Sequence, residues 1–134
     1  MVLIYYHAEQ QNRIVIGSVN KTEQKIGFFV KFGCDHLADF MPIVSLYKTQ
    51  VIQLANYLHV PEKIIKKAPS PDLLPGLDDE TIIGLSYQWI DLILIAQEMG
   101  LSSNEIKSSL GIDKQQVEYV LELARIAARQ DRTL

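Results

Sequence analysis

The residues best suited to chemistry lie in one segment in the middle of the chain, residues 67–80. The segment holds three prolines, one glycine and four acids, which are Asp72, Asp78, Asp79 and Glu80. Because proline lacks a backbone donor and fixes φ, this composition argues against regular helix or sheet. Irregular segments of this length inside a compact domain are usually functional loops. Helical patterns flank it, so the sequence predicts a loop that is held at both ends and can cover a site.

The histidines and the cysteine form no comparable pattern. His7, His36 and His59 lack the spacing of metal ligands. Cys34 has no paired base near it in the sequence, so a nucleophilic role is not expected. Since Cys34 is also the only cysteine, an internal disulfide is excluded, which favours a reduced, cytoplasmic setting.

Size and charge narrow the classes of function. The chain has 134 residues, 48% of them hydrophobic, which predicts a single domain over residues 1–134 with a packed core. It carries 13 basic and 16 acidic residues, and this balance argues against a nucleic-acid partner. The longest apolar run, residues 92–96, is far shorter than the roughly 20 residues of a membrane span, so no membrane partner is expected.

Hydrophobic spacing and end signals predict six or seven helices and one strand. The strand is the β-branched run 14–16, typical of a buried parallel strand. Helices are predicted over 1–12, 42–60 with Ser45 as N-cap, 62–67, 79–84, 86–100, and from the capping boxes that start at Ser102 and Asp113. Residues 20–26 are expected to form one or two helical turns. A lone parallel strand needs partners at its edges. The chain is therefore expected to join a partner chain's sheet or to be part of a larger α/β domain.

Five segments carry motifs that resemble those of one family, in the same order and with similar spacing. Residues 17–23, Gly-Ser-Val-Asn-Lys-Thr-Glu, resemble Gly-Thr-x-Asn-x-Ser-Glu, and residues 27–33 resemble Gly-Tyr/Phe-x-x-Lys-Tyr/His-Gly. Residues 42–51 resemble Pro-Leu/Ile followed by Leu-Tyr-Lys-Thr-x-Val. Residues 67–80 resemble Lys-x-Pro-Ser-Ala-x-Leu-x-Pro-Gly-Gln-x-Asp-Glu, and residues 84–91 resemble Gly-x-Ser-Tyr-x-x-Ile/Leu-Asp. The chain thus resembles the C-terminal half of the ammonia-dependent NAD+ synthetases.

The resemblance implies a fold and a reaction. The fold would be α/β: the helix-rich, C-terminal part of a Rossmann-like, adenine-nucleotide α-hydrolase-like domain, with about one short parallel strand. Family members are homodimers that adenylate the nicotinate carboxylate of deamido-NAD+ with ATP and Mg²⁺, and ammonia then displaces AMP. Such chemistry requires cations around the phosphates, an acid for Mg²⁺ and a dry pocket.

The resemblance also implies roles for individual residues. Those expected to contact ATP are Ser18, in place of the family's threonine, Lys48 and Ser70. Glu23 would bind Mg²⁺, and Lys31 and Asp39 would contact deamido-NAD+. The mobile loop would close over the reacting groups through Pro69, Ser70, Asp72, Pro75, Gly76, Asp79 and Glu80. No residue is assigned as a catalytic acid, base or nucleophile.

The chain also departs from the family pattern. Nothing in it resembles the phosphate-binding loop Ser-Gly-Gly-x-Asp-Ser of the family's N-terminal half, and a His-Lys pair near the C-terminus is replaced by residues 129–132. The segment that leads to Asp39 is one residue longer than usual, Pro71 replaces alanine, and Leu77 replaces glutamine. The expectation is a partial or truncated synthetase that is inactive in isolation and associates with the missing half or as a homodimer.

Other functions remain open at this stage. The chain could be a non-catalytic remnant, a regulatory fragment or one chain of a split enzyme. Residues 102–128 also have the outline of a helix-turn-helix. The second helix of that outline carries Asp113, Glu118 and Glu122 beside its basic residues, which disfavours contact with DNA.

Overall fold

The computed structural model describes residues 1–30, 37–71 and 76–131. Helices dominate these residues. In chain order they are α1 (Val2–Gln10), α2 (Lys21–Ile26), α3 (Lys48–Tyr57), α4 (Glu62–Ile65), α5 (Asp79–Ile83), α6 (Tyr87–Glu98), α7 (Ser103–Leu110) and α8 (Lys114–Asp131). This architecture agrees with the prediction that the chain forms the helix-rich part of an α/β fold.

Helix α6 is the centre of the core and packs against α2, α3, α7 and α8. Ile90, Ile93 and Leu94 on α6 are at most 1% exposed. Ile106 of α7 and Val120 of α8, both fully buried, pack into the same core. Apolar residues three or four apart on α6 and α8 place one stripe of each helix against the others, as the helical periodicity predicts.

The predicted strand is reduced to a single parallel bridge between Ile16 and Phe40. Gly17 N donates to Phe40 O at 2.9 Å. Of the run 14–16 only Val15 is buried, and Ile14 and Ile16 are 65% and 62% exposed. The β-branched pattern therefore identified extended backbone correctly, but the expected burial of the whole run is wrong, because no second layer among the described residues covers Ile14 and Ile16.

The predicted helix over 42–60 begins later than expected. Ser45 does not cap it; Tyr47, in extended backbone, precedes the first helical residue, Lys48. The reason is a bond to another helix: Leu46 O accepts from Lys21 N at 2.8 Å, so this carbonyl is committed to the start of α2. Residues 42–45 form turns instead.

Local capping residues define the ends of several other helices. Asn20 and Ser102 each form a capping box with the glutamate three residues later. Gly27, Gly84 and Gly111 end α2, α5 and α7 with positive φ, which glycine adopts without strain. Such local signals depend only on neighbouring residues, which is why the sequence alone predicted the box at Ser102 and the end of α7 at Gly111.

Gly27 also lies against another helix, and this gives a prediction about packing. A Cβ at Gly27 (φ +74°) would lie 3.3 Å from the Cβ of Ala127 on α8, whereas one at Gly84 (φ +79°) would meet nothing within 4 Å. We expect Gly27→Ala to lower the free energy of unfolding by about 2 kcal/mol and Gly84→Ala by about 1 kcal/mol. Urea denaturation of both variants measures the difference, and equal losses would show that the α2–α8 contact is not tight.

Candidate functional site

The site begins with a charged pair between α2 and α3. Glu23, which the resemblance assigns to Mg²⁺, and Lys48, which it assigns to ATP, lie together: Lys48 Nζ is 3.1 Å from Glu23 Oε1. Their side chains are only 16% and 19% exposed. Glu23 Oε2 also accepts from Asn20 N at 3.1 Å in the capping box, which holds the carboxylate in one orientation. The two residues thus form a preassembled, partly shielded pair.

An aromatic ring from α6 completes the surroundings of Lys48. The ammonium of Lys48 lies 5.0 Å from the ring centroid of Tyr87, within the range of a cation–π contact. Burial raises the pKa of Tyr87 above its ordinary value, and the hydrogen bond to Asp79 adds to the shift. The phenol therefore keeps its proton at neutral pH and acts as a donor.

Tyr87 also connects Lys48 to the end of the predicted loop. Its hydroxyl donates to Asp79 Oδ2 at 2.9 Å, and its backbone N donates to Glu80 Oε1 at 2.8 Å. Asp79 is 6% exposed, and among the described residues its other oxygen, Oδ1, has no hydrogen-bond donor. Asp79 and Glu80, assigned from the sequence to the mobile loop, form the first turn of α5 and are fixed to α6.

The base of the loop is closed by two bonds across it. Pro69 O accepts from Asp79 N at 2.9 Å, and Ser70 Oγ donates to Leu77 O at 2.8 Å. Gly76 adopts a φ of +79° at the described end of the loop. Asp72 and Pro75 lie outside the described residues. The loop is thus held at both ends, as its flanking helical patterns predicted.

Three further residues were predicted to contact substrates, and these are Ser18, Asp39 and Lys31. Ser18 is exposed, two residues before the cap of α2. Asp39 is tied into the fold: Oδ2 accepts from Val15 N at 2.7 Å and Oδ1 from Tyr5 Oη at 3.1 Å. Lys31 lies outside the described residues. The structure therefore gives Asp39 a local structural role, and its predicted substrate contact stays a prediction.

Two residues that were assigned no functional role from the sequence contact the backbone at the start of α3. Asp91 of α6 is 1% exposed and Thr22 of α2 is fully buried. Thr22 Oγ1 donates to Asp91 Oδ1 at 2.5 Å and accepts from Lys48 N at 2.8 Å. Asp91 Oδ2 accepts from Thr49 N at 2.8 Å. A carboxylate within the apolar run 90–95 was the available signal, since buried acids are rare unless they are bonded.

A second cluster of charges lies on the other side of α2. Glu98 of α6 accepts from Lys21 at 2.8 Å and from Lys25 at 3.2 Å. The Lys21 ammonium also lies 4.3 Å from the ring centroid of Tyr47. The hydrogen bond from Lys21 is the main cause that lowers the pKa of Glu98 from 4.5 to about 2. This cluster joins α2 to α6 through lysine side chains.

The lowered pKa of Glu98 predicts how stability depends on pH. Its contribution is fully present above pH 4.5 and is lost as the pH falls toward about 2. We expect Glu98→Gln to lower the free energy of unfolding by about 1 kcal/mol at pH 7, since the pair is partly exposed, and by almost nothing near pH 2. Denaturation at several pH values measures this, with Glu9→Gln on α1 as the control. A difference that does not shrink with acid would contradict it.

The oxygen donors near Glu23 bear on the Mg²⁺ site that the resemblance implies. Among the described residues no group of three His, Cys, Asp or Glu side chains could hold a metal ion. Glu23 is a single, partly exposed carboxylate, and Mg²⁺ is often bound by one or two carboxylates together with substrate phosphates. Glu23 therefore fits a site that a nucleotide completes, provided that Lys48 moves from the carboxylate to the phosphates.

No helix in the described residues is long and apolar enough to cross a membrane.

Comparison with known proteins gives a consistent result. The sequence pattern of the NAD synthase family matches residues 1–131. The NH(3)-dependent NAD(+) synthetase of Thermotoga maritima is 42% identical over 134 residues, which is 100% of this chain and 45% of that protein. The synthetase of the same name from Archaeoglobus fulgidus is 53% identical over 100 residues, 75% of this chain and 40% of that protein.

Two solved structures share the fold. The NMN synthetase from Francisella tularensis superposes with a TM-score of 0.74 at 36% identity, over 94% of this chain and 47% of that one. The NH3-dependent NAD synthetase from Campylobacter jejuni, in complex with the nitrate ion, gives a TM-score of 0.69 at 31% identity, over 96% and 47%. The chain thus spans about half the length of the proteins that it matches.

Proposed function

The chain belongs to the NAD synthase family, and we propose that it supplies the C-terminal half of an ammonia-dependent NAD+ synthetase. In the proposed reaction, a nicotinate carboxylate oxygen of deamido-NAD+ forms a bond to the α-phosphorus of ATP, and pyrophosphate leaves. Ammonia then attacks the acyl carbon, AMP leaves, and the nitrogen loses a proton to give the amide. The observation that carries the proposal is the preassembled Glu23–Lys48 pair within a match over nearly the whole chain.

Lys48 is the central cation in this proposal. Its ammonium is partly shielded and is 3.1 Å from Glu23, so at rest its charge is balanced by that carboxylate. Triphosphate oxygens would compete with Glu23 for the same ammonium, and Lys48 would then stabilise the negative charge that grows on the leaving phosphates. Bound Mg²⁺ would supply further positive charge at these phosphates, with Glu23 as its ligand from this chain.

The other predicted contacts extend the same scheme. Ser18 and Ser70 would contact ATP, and Lys31 and Asp39 would contact deamido-NAD+. The loop from Pro69 to Glu80 would exclude water from the acyl-adenylate, because water competes with ammonia for the activated carbon. Support for this role is the way the loop's C-terminal end is bonded to Tyr87, whose ring faces Lys48.

A second acid substrate has a specific observation in its favour. The structurally similar protein from Francisella tularensis is an NMN synthetase. The mononucleotide analogue, nicotinate mononucleotide, carries the same carboxylate and could pass through the same two steps. Comparison of the two acids at equal concentration decides between them, since only one would support amide formation with a low KM.

The rest of the active site would come from outside this chain. The phosphate-binding loop is not recognisable in residues 1–134, so we propose that turnover requires the remaining half of a synthetase, which a second copy of this chain would not supply. We place this activity in the cytoplasm, where ATP and a reduced cysteine coexist. A non-catalytic role would apply if completion of the cleft restored neither binding nor turnover.

The test is an amidation assay with ATP, ammonia and each acid substrate. The 134-residue chain is assayed alone and mixed with the part of the Thermotoga maritima synthetase that it does not match. We expect no amide from the chain alone and measurable amide from the mixture. Turnover by the chain alone would overturn its proposed incompleteness. If the mixture forms a complex that neither binds ATP nor turns over, the proposed function is wrong.

A further inference from the structure

Helix α3 begins at a residue that cannot cap it. Tyr47 precedes the first helical residue in extended backbone (φ −64°, ψ 155°), and its ring offers no acceptor close to the first turn. The first N–H groups of a helix have no partner within the helix and require acceptors from elsewhere. Gln50 Oε1 accepts from Tyr47 N at 2.9 Å. Of the remaining N–H groups of the first turn, those of Lys48 and Thr49 find acceptors outside α3.

Two other helices supply these acceptors. Thr22 Oγ1 of α2 accepts from Lys48 N at 2.8 Å, and Asp91 Oδ2 of α6 accepts from Thr49 N at 2.8 Å. The same threonine hydroxyl donates to Asp91 Oδ1 at 2.5 Å. One buried carboxylate therefore accepts from α2 and from the first turn of α3. Its negative charge also lies at the positive end of the α3 dipole, where it is favourable.

The side chain of Lys48 is held by neighbours of the same two residues. Glu23, which pairs with Lys48 Nζ, follows Thr22 on α2. Tyr87, whose ring lies under Lys48 Nζ, is four residues before Asp91 and shares its face of α6. The backbone and the ammonium of Lys48 are thus fixed against the same short stretches of α2 and α6.

We propose that Asp91 is a positioning residue that sets Lys48 in place for the nucleotide phosphates. It acts through Thr22 and the α3 N-terminus and touches no reacting atom. The importance of Lys48 rests on the function proposed above, but its placement by Asp91 does not. Asparagine at position 91 would keep one carbonyl oxygen, and its NH₂ group would face either the Thr22 hydroxyl or Thr49 N–H. Asp91→Asn would therefore either break the bond from Thr49 N or remove the acceptor of the Thr22 hydroxyl proton, and both changes weaken the contacts that hold the α3 N-terminus.

The test is NMR of the 134-residue chain, which needs no nucleotide. Because Lys48 lies over the face of Tyr87, its Hε protons are expected upfield of those of the other lysines. We expect Asp91→Asn to move them toward the ordinary lysine position and to speed exchange of the Lys48 and Thr49 amides at least tenfold. Thr22→Val should act similarly, whereas Thr22→Ser, which keeps the hydroxyl, should restore the shift.

The control separates positioning from a general loss of stability. Ile106→Val removes one methylene from a fully buried residue of α7, away from α3. It should lower stability and leave the Lys48 signal unchanged. If Asp91→Asn speeds amide exchange but leaves the Lys48 Hε shift as in the unaltered chain, Asp91 is only a helix cap and the inference fails. If Asp91→Asn does not fold, the comparison of Thr22→Val with Thr22→Ser decides in the same way.

Discussion

Replacement of Lys48 by methionine is expected to lower kcat/KM for ATP by about 100-fold or more in the complete synthetase. Methionine keeps an unbranched side chain of similar length over the Tyr87 ring and removes the charge. The loss has two physical sources. The phosphates lose a cation held in a site where its side chain is only 19% exposed, and Glu23 is left as an uncompensated negative charge 3.1 Å from the vacated position.

Steady-state kinetics with varied ATP measures this effect, with the complementary half supplied where the chain alone does not turn over. Lys48→Arg keeps the charge but spreads it over a planar fork, so part of the activity should return. Lys107→Met, on the exposed side of α7, is the matched control and should change little. If the double variant Glu23→Gln/Lys48→Met is as active as the unaltered enzyme, the assignments of Lys48 to ATP and of Glu23 to Mg²⁺ are both wrong.

Replacement of Tyr87 by phenylalanine is expected to lower the free energy of unfolding by about 2 kcal/mol. The hydroxyl is the donor to Asp79 Oδ2 at 2.9 Å, and Asp79 is 6% exposed. Since the described residues provide no donor for Oδ1, the variant would leave a nearly buried carboxylate without a hydrogen bond. Phenylalanine fills the same volume, so packing contributes little to the change.

Tyr119→Phe provides the comparison, because the Tyr119 hydroxyl donates to Ile83 O at 3.0 Å in a more exposed place. We expect it to cost about 1 kcal/mol or less. Urea denaturation of both variants gives the two values. Asp79→Asn should reduce the effect of Tyr87→Phe, since a neutral amide is less costly to leave unpaired than a charge. Equal losses for Tyr87→Phe and Tyr119→Phe would contradict the special role of the Asp79 bond.

The sequence revealed the family, because five motifs follow one another along the chain in the family's order. The five ordered motifs resemble those of the NAD+ synthetases, and the family match confirms that resemblance. The proposed roles of Ser18, Ser70, Lys31 and Asp39 stay predictions that need ligand-bound measurements. Glu23 and Lys48 were predicted separately, and their contact at 3.1 Å joins residues 25 positions apart in the chain.

The sequence by itself determined the capping box at Ser102 and the end of α7 at Gly111, because these signals act over a few neighbouring residues. Only the tertiary structure decided where α3 begins and what holds Lys48. The α3 N-terminus is satisfied by Thr22 and Asp91, which are 26 and 42 residues away from their backbone partners. A cap supplied from other helices leaves no local pattern, since its acceptors can lie at any distance along the sequence.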